Sequence, residues 1–248
     1  MPTKILQQLQ QIERDKGVTI LYAVESGSRA WGFASPDSDY DIRFIYRYEL
    51  DHYLSLWEQP DVIEFMTKDD LDGSGWDVRK ALTLLAKSNA PLLEWLYSPV
   101  VYCENEVFAT QMRALAQDCF SPVACLHHYL GTTKKFMAVC EQDQVKLKSY
   151  FYALRTALAG KWIIEHNSFP PVAFMDLLPI APQHIQEKIQ ELMALKAQQV
   201  EGYLHPKELL ITAYLRETVL FNEENAGSLK GGKKMGEELD GVFREFIK

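Results

Sequence analysis

Residues 25–43 read ESGSRAWGFASPDSDYDIR and form the stretch around which the chain is organised. They follow an apolar run, TILYAV at 19–24, that predicts a buried strand. The chain then turns at Gly27 and enters a second run in which apolar and polar residues alternate, as in a half-buried strand. Asp39 and Asp41 lie two residues apart in that second run. The pattern therefore predicts a strand, a bend with a short helix, and an acidic second strand.

The acidic pair is the first candidate for chemistry. Side chains two residues apart on a strand project from the same face, about 6.5 Å apart along the backbone, so Asp39, Asp41 and Arg43 share one face. Two carboxylates on an apolar element repel each other and are costly to desolvate, which favours a cation between them. Oxygen ligands without a nearby His or Cys favour Mg²⁺ or Mn²⁺ over Zn²⁺. The alternative is a polar turn at 36–39 in which Asp39 is only a cap.

The bend supplies a second feature of the same kind of site. A Gly27-Ser28 turn that leaves a strand and opens a short helix lets the backbone approach a phosphate closely and points N–H groups at it. Groups suited to a metal ion and groups suited to a phosphate therefore lie close together in the sequence.

This stretch resembles the nucleotidyltransferase superfamily that includes DNA polymerase beta, whose signature is an apolar strand, Gly-Ser, a short helix and D-x-D on the next strand. More closely, it is similar to the predicted nucleotidyltransferases grouped as the RNA repair pathway DNA polymerase beta family. The similar segments are ESGSRAWG at 25–32, SDYDIR at 38–43, GWDVRKAL at 75–82, KSN at 87–89, LEWL at 93–96 and YALR at 152–155. The resemblance covers about the first two thirds of the chain.

The resemblance implies a third carboxylate on a strand beside the first two. Asp72 is favoured, because the resemblance places this acid just before the helix of the GWDVRKAL motif. Glu64 is the alternative, because its surroundings have the better strand pattern, and Asp77 would equally suit the start of a helix. The third acid would bind the metal that activates the attacking hydroxyl, while Asp39 and Asp41 bridge two ions about 3.5–4 Å apart.

The resemblance also implies nucleotide contacts from a helical region. Lys148, Tyr152 and Arg155 are spaced to share one helix face, and an arginine suits bidentate phosphate contact. The alternative is a solvated cationic face with no ligand. The candidate nucleotide-binding residues are Gly27, Ser28, Arg29, Lys148, Tyr152 and Arg155.

Composition limits the possible partners. The chain has 248 residues, 47% of them apolar, which is enough for a substantial core. Its net charge of −8 argues against a general electrostatic hold on nucleic acid, so a polynucleotide would need a local patch. The four cysteines lack metal-ligand spacing, and no apolar run approaches the ~20 residues that span a bilayer. We therefore expect a cytoplasmic protein that does not enter membranes.

The predicted fold is α+β, with a small nucleotidyltransferase-type mixed sheet and helices over 1–100, followed by an all-helical domain over 101–248. Besides the two strands of the motif, strands are predicted at 61–66 and 100–102, and an acidic, glycine-containing turn at 68–75. Helices are predicted at 4–14, 50–57, from about 77 to 89, and at 92–97, 104–120, 122–140, 144–166, 183–199, 206–222 and 236–246.

The expected function is metal-dependent transfer of a nucleoside monophosphate from a nucleoside triphosphate (NTP), such as ATP, to an acceptor hydroxyl. Pyrophosphate would be released. The name of the similar family favours an RNA end as acceptor, although a protein or a small molecule stays open. The main alternative is a nucleotide sensor or antitoxin-like protein that keeps the fold without turnover. A hydrolase that uses the same aspartates is a third possibility.

Overall fold

A computed structural model describes all 248 residues and confirms an α+β fold with a helical C-terminal region. The strands are β1 (Val18–Glu25), β2 (Tyr40–Tyr48), β3 (Val62–Met66), β4 (Leu71–Asp77), β5 (Val101–Glu104), β6 (Gln144–Lys146) and β7 (Leu204–Pro206). The helices are α1 (Pro2–Lys16), α2 (Gly27–Trp31), α3 (Leu50–Tyr53), α4 (Val78–Ala86), α5 (Ala90–Leu96), α6 (Glu106–Cys119), α7 (Pro122–Cys140), α8 (Leu147–His166), α9 (Phe174–Leu177), α10 (Gln183–Lys196), α11 (Leu209–Asn225) and α12 (Gly236–Phe246).

The chain forms two compact units. The first, called the sheet unit, comprises Met1–Ala30, Asp39–Cys119 and Lys233–Lys248. The second, called the helical unit, comprises Trp31–Ser38 and Phe120–Gly232. The units thus differ from the consecutive segments predicted on either side of residue 100, because each contains pieces from distant parts of the chain.

Specific contacts explain why the sheet unit extends past residue 100. Strand β5 pairs with β1 at one edge of the sheet. Arg113 of α6 donates a hydrogen bond to the hydroxyl of Tyr22 in β1 at 3.2 Å. Phe246 of α12 packs edge-on against Phe108, with ring centroids 5.0 Å apart. Helix α12 therefore belongs to the sheet unit, whereas the sequence pattern placed it in the C-terminal bundle.

The main sheet has five strands in the order β3-β4-β2-β1-β5, with β2 and β4 parallel and the other pairs antiparallel. One face carries the core, and α1 covers it. The core includes Ile42, Phe44 and Tyr46 of β2 and Ile5, Leu9 and Ile12 of α1. The predicted alternation holds from Tyr40 to Phe44, whereas Phe44, Ile45 and Tyr46 are all fully buried, so both faces of β2 are covered there.

The turn predicted at 68–75 is shorter in the structure: residues 68–70 form a turn, and strand β4 begins at Leu71. The turn was predicted from the acidic residues and glycines, which usually interrupt strands. In the structure, a Cβ atom at Gly73 would overlap the ring of Phe65, and one at Gly75 would overlap the ring of Phe44. The glycines are part of the strand because aromatic rings from neighbouring strands lie directly on its backbone.

The helical unit is built on α7, α8 and α11. Most residues of α8 are buried, as expected for the central helix of a bundle. Helix α8 begins at Leu147 rather than at 144, because Gln144–Lys146 pair with Leu204–Pro206 as a two-stranded sheet. Strands of three residues are too short to leave a recognisable pattern, so this sheet was not predicted.

None of the helices in the structure has the length and apolar character needed to cross a membrane.

Candidate active site

The glycine bend and the acidic strand meet at one point in the sheet unit. Gly27 has a φ of +60°, a conformation that favours glycine. A Cβ atom at this position would overlap Oδ2 of Asp41. The N–H of Ser26 donates a 2.8 Å hydrogen bond to the carbonyl of Asp41. The Asp41 carboxylate therefore lies directly against the bend, and both its proximity and the backbone conformation require glycine at position 27.

A second carboxylate lies beside the first on the adjacent parallel strand. Asp72 of β4 is in register with Asp41 of β2. The guanidinium of Arg43 lies between them, with Nη2 at 3.0 Å from Asp41 Oδ1 and 3.4 Å from Asp72 Oδ2. All three side chains are partly exposed. Arg43 thus supplies a positive charge between Asp41 and Asp72, and the divalent ion expected near the acids stays a prediction.

Asp39 lies two residues before Asp41, immediately outside β2, and is exposed. Its main-chain carbonyl accepts a 3.0 Å hydrogen bond from Nε of Arg29. The guanidinium of Arg29 lies 3.8 Å from the centroid of the Tyr40 ring, a favourable cation–π distance. Arg29 therefore links the helix after the bend to the start of the acidic strand.

Glu25 is a residue of this site to which sequence reasoning gave no role. It is 1% exposed, and its Oε1 accepts the N–H of Asp41 at 2.8 Å. Its Oε2 accepts a short hydrogen bond from the hydroxyl of Tyr102. Burial raises the pKa of the Glu25 carboxyl, although both hydrogen bonds oppose the shift. The signal in the sequence was an acidic residue that ends an otherwise apolar strand, where a buried acid needs a specific partner.

The structure separates the three candidates for the third carboxylate. Asp72 alone is in register with Asp41. Glu64 is exposed on the edge strand β3, in register with Ser74. Asp77 lies at the opposite end of β4, where it is buried and accepts the N–H of Arg79 at 2.8 Å as the cap of α4.

Asp39, Asp41 and Asp72 offer carboxylate oxygens, which suit Mg²⁺ or Mn²⁺. In the structure, no group of three or more His, Cys, Asp or Glu side chains is arranged to hold a metal ion as it stands. Arg43 lies where two of the carboxylates converge. The ligand type therefore fits a divalent ion, and binding between Asp41 and Asp72 requires the guanidinium to move away.

The other predicted nucleotide-binding residues lie on α8 in the helical unit. Lys148 is partly exposed and forms an ion pair with Glu201 at 3.1 Å. The ring of Tyr152 packs edge-on against Trp31 at 4.9 Å. Arg155 is only 1% exposed, and its guanidinium lies 4.4 Å from the Trp31 ring centroid. The three side chains do not form one solvated face, because Arg155 is inside the unit.

A glycine-serine bend after an inner strand, followed by an acidic pair at the start of the next strand of a mixed sheet, is the arrangement of the polymerase-beta class of nucleotidyltransferases. Within that class, the chain belongs to the RNA repair pathway DNA polymerase beta family, which matches residues 1–245. It is also similar to the uncharacterized protein YcgL of Bacillus subtilis (strain 168), with 42% identity over 244 residues, 97% of this chain and 94% of that protein. The family resemblance inferred from the motifs is confirmed, and it extends through the helical unit.

Proposed function

We propose that this protein is a metal-dependent nucleotidyltransferase that moves a nucleoside monophosphate from an NTP to an acceptor hydroxyl and releases pyrophosphate. The observation that carries the proposal is the convergence of three groups, one of which, Asp72, is distant in the sequence. The Asp41 carboxylate lies against the Gly27 bend, and Asp72 lies in register beside it on the parallel strand. Membership of a polymerase-beta-type family supports the class of reaction.

Each side chain of the site has a proposed role. Asp39, Asp41 and Asp72 would hold Mg²⁺ or Mn²⁺, which when bound would stabilise the charge on the attacking and leaving oxygens. Gly27, Ser28 and the adjacent Arg29 would orient the phosphates, because the Gly27 backbone lies directly against the Asp41 carboxylate.

Arg43 and Glu25 would support the acids without touching the substrate. Arg43 compensates the repulsion between Asp41 and Asp72 when no other cation is present. Glu25 fixes the main chain of Asp41 through its N–H. The nucleotide contacts assigned to Lys148, Tyr152 and Arg155 stay a prediction.

An RNA end is the acceptor that we propose, on the basis of the family description. The net charge of −8 means that RNA would have to be held by a local patch rather than by the whole surface. A protein or a small molecule is the alternative acceptor. None of the four cysteines forms a disulfide, which fits the proposal of a cytoplasmic protein.

The second candidate function is nucleotide binding without turnover, as in a sensor or an antitoxin-like protein. One observation favours it: the Arg43 guanidinium already lies between two of the proposed metal ligands. In a protein that never binds a metal ion, this ion pair would be permanent.

The two functions can be separated with purified protein, each α-labelled NTP, Mg²⁺ or Mn²⁺, and pooled RNA. We expect transfer of label and release of pyrophosphate. Asp39→Asn and Asp41→Asn should each lower the rate at least about 100-fold, because loss of a metal ligand removes several kcal/mol of transition-state stabilisation. The matched control is Asp15→Asn, an exposed acid on α1 of the same unit, which should keep the wild-type rate.

The other outcomes have definite meanings. NTP binding with no transfer to RNA, protein or small-molecule acceptors would support the sensor. Release of inorganic phosphate without pyrophosphate would indicate a hydrolase. Full activity in the Asp41→Asn variant would contradict the proposed site.

A further inference from the structure

The segment Trp31–Ser38, called the connector here, joins the bend to Asp39. It belongs to the helical unit, whereas the residues immediately before and after it belong to the sheet unit. Two proposed groups of the active site, Arg29 and Asp39, are therefore joined through a segment whose packing partners come from much later in the chain. The contacts of the connector show how firmly it is held.

Aromatic side chains fix the first half of the connector. The ring of Phe33 is buried and stacks on Phe151 of α8, with centroids 5.2 Å apart. It also meets the ring of Phe174 edge-on at 5.5 Å. Trp31 packs against Tyr152 in the same way. Offset and edge-on geometries of this kind are the favourable ones for aromatic pairs.

A buried lysine fixes the middle of the connector. Lys196, at the end of α10, is 3% exposed, and its Nζ donates a 2.6 Å hydrogen bond to Oγ of Ser35. Ser35 is equally buried. Lysine is almost never fully buried without a specific partner. Burial lowers the pKa of Lys196, and the nearby carboxylates of Glu201 and Asp37 oppose that shift.

Glu201 fixes the end of the connector next to Asp39. Its Oε1 accepts a 2.9 Å hydrogen bond from Ser38 Oγ, which itself accepts the N–H of Ser35 at 2.9 Å. The main-chain N–H of Glu201 donates to the Asp37 carboxylate at 2.9 and 3.1 Å. The ammonium of Lys148 pairs with the same glutamate. Ser35, Asp37 and Ser38 of the connector are thus held by two residues from later in the chain, Lys196 and Glu201.

We infer that Lys196 and Glu201 are positioning residues for the proposed nucleotidyl transfer: they hold the connector so that Asp39, the next residue, keeps the place in which it can bind a metal ion. The inference rests on the proposed function. It does not require either residue to touch the substrate. Partners that support a metal ligand from outside typically change metal affinity or activity by about 10- to 100-fold when they are removed.

The test uses the full-length protein with Lys196→Met, which keeps the buried volume, and Glu201→Gln, which keeps an acceptor for Ser38. Lys134→Met, an exposed lysine of the same unit, is the matched control. We expect Mn²⁺ affinity, measured by electron paramagnetic resonance with a non-hydrolysable NTP analogue, to fall about tenfold in the first two variants and not in the control. Hydrogen exchange should accelerate in the peptide that covers residues 31–41.

A double variant separates positioning from simple stability. In Lys196→Met/Ser35→Ala both buried partners are removed, so no polar group is left unpaired and thermal stability should recover. The anchor is still absent, so the reduced Mn²⁺ affinity should persist. Recovery of Mn²⁺ affinity together with stability would overturn the inference, and so would unchanged affinity and exchange in Lys196→Met. Failure of the proposed function is distinct, since it would appear as a wild-type protein that neither binds Mn²⁺ nor transfers nucleotide.

Discussion

At the residue scale, Asp41 is fixed from two sides, by Gly27 and by Glu25. Gly27 leaves room for its carboxylate, and Glu25 accepts its main-chain N–H. Ser98 Oγ in turn donates a 2.6 Å hydrogen bond to the carbonyl of Glu25. The position of the acid is therefore set by buried polar contacts as well as by the sheet.

Replacing Glu25 should show how much its hydrogen bonds contribute to the stability of the fold. Glu25→Ala leaves the N–H of Asp41 and the hydroxyl of Tyr102 without their acceptor, so the free energy of unfolding should fall by about 2–4 kcal/mol. Glu25→Gln keeps one carbonyl oxygen as an acceptor and should lose less. Chemical denaturation at neutral pH measures both changes.

The control for this prediction is Glu64→Ala, which removes an exposed acid from the edge strand β3. It should change the free energy of unfolding by no more than about 0.5 kcal/mol. If Glu25→Ala and Glu64→Ala were equally stable, the hydrogen bonds of Glu25 would have no structural importance.

At the scale of elements, the junction of β4 and α4 shows a carboxylate with a structural role. Asp77 is 4% exposed and ends the strand. It accepts the N–H of Arg79 in the first turn of α4 and the hydroxyl of Tyr53 at 2.7 Å. Burial raises the pKa of the Asp77 carboxyl, and both hydrogen bonds oppose the shift. The strand and the helix are thus joined by one capping side chain.

The raised pKa of Asp77 gives a prediction with a definite sign. The folded protein binds this proton more tightly than the unfolded chain, so the contribution of Asp77 to stability falls as pH rises from its ordinary pKa of 3.8 through the raised folded value. Asp77→Asn keeps the cap but cannot ionise. Its free energy of unfolding, relative to wild type, should therefore increase between pH 4 and pH 7, as denaturant titrations at several pH values would show.

Asp77→Ala is the companion variant. It removes the cap and should cost about 2 kcal/mol at pH 7. Nucleotidyl transfer in folded Asp77→Asn should equal wild type, since Asp77 lies at the other end of β4 from Asp72. A large loss of transfer in this variant would instead make Asp77 a candidate for the third metal-binding carboxylate.

The elements that could be predicted are those whose own residues show a clear hydrophobic periodicity. Helices α7 and α12 have the predicted bounds, and α1 extends the predicted helix by two residues at each end. The residue pattern of β4 does not indicate a strand, which only the family resemblance implied at Asp72, because the rings that cover Gly73 and Gly75 come from Phe65 and Phe44 on other strands.

In the candidate site, too, the local motif could be predicted from the sequence, whereas contacts between distant residues could not. Asp41 and the glycine bend followed from a local motif, and the structure brings them together. The neighbour relation of Asp41 and Asp72 depends on a parallel pairing of strands, which sequence spacing does not encode. The same is true of Glu25, whose partner Tyr102 lies on β5.

At the scale of the whole molecule, the sheet unit depends on the C-terminal segment. Helix α12 buries Leu239 and Val242, and Phe243 meets the ring of Tyr53 edge-on at 5.4 Å. The guanidinium of Arg79 lies 5.0 Å from the centroid of the Phe243 ring. The last helix of the chain is therefore part of the unit that carries the acidic residues.

Deleting residues 233–248 should destabilise the sheet unit. The loss of several buried apolar side chains, each worth about 1.5–3 kcal/mol, should lower the free energy of unfolding by at least about 3 kcal/mol. Hydrogen exchange should show lost protection in α4 and α6, while α7, α8 and α11 keep theirs.

Glu238→Gln is the control for the deletion, because Glu238 is exposed on the same helix. It should leave both stability and exchange unchanged. A deletion variant with wild-type protection in α4 and α6 would contradict the assignment of α12 to the sheet unit.

The connector also has a consequence for protein synthesis. A nascent chain that has left the ribosome as far as Cys119 already contains Asp39, Asp41 and Asp72, but none of the helices on which the segment before Asp39 packs. The last of these partners, Lys196 at the end of α10 and Glu201 after it, emerge later, and α12 follows last. Polypeptides released early from a truncated mRNA would therefore contain all three aspartates but lack the residues that hold the connector.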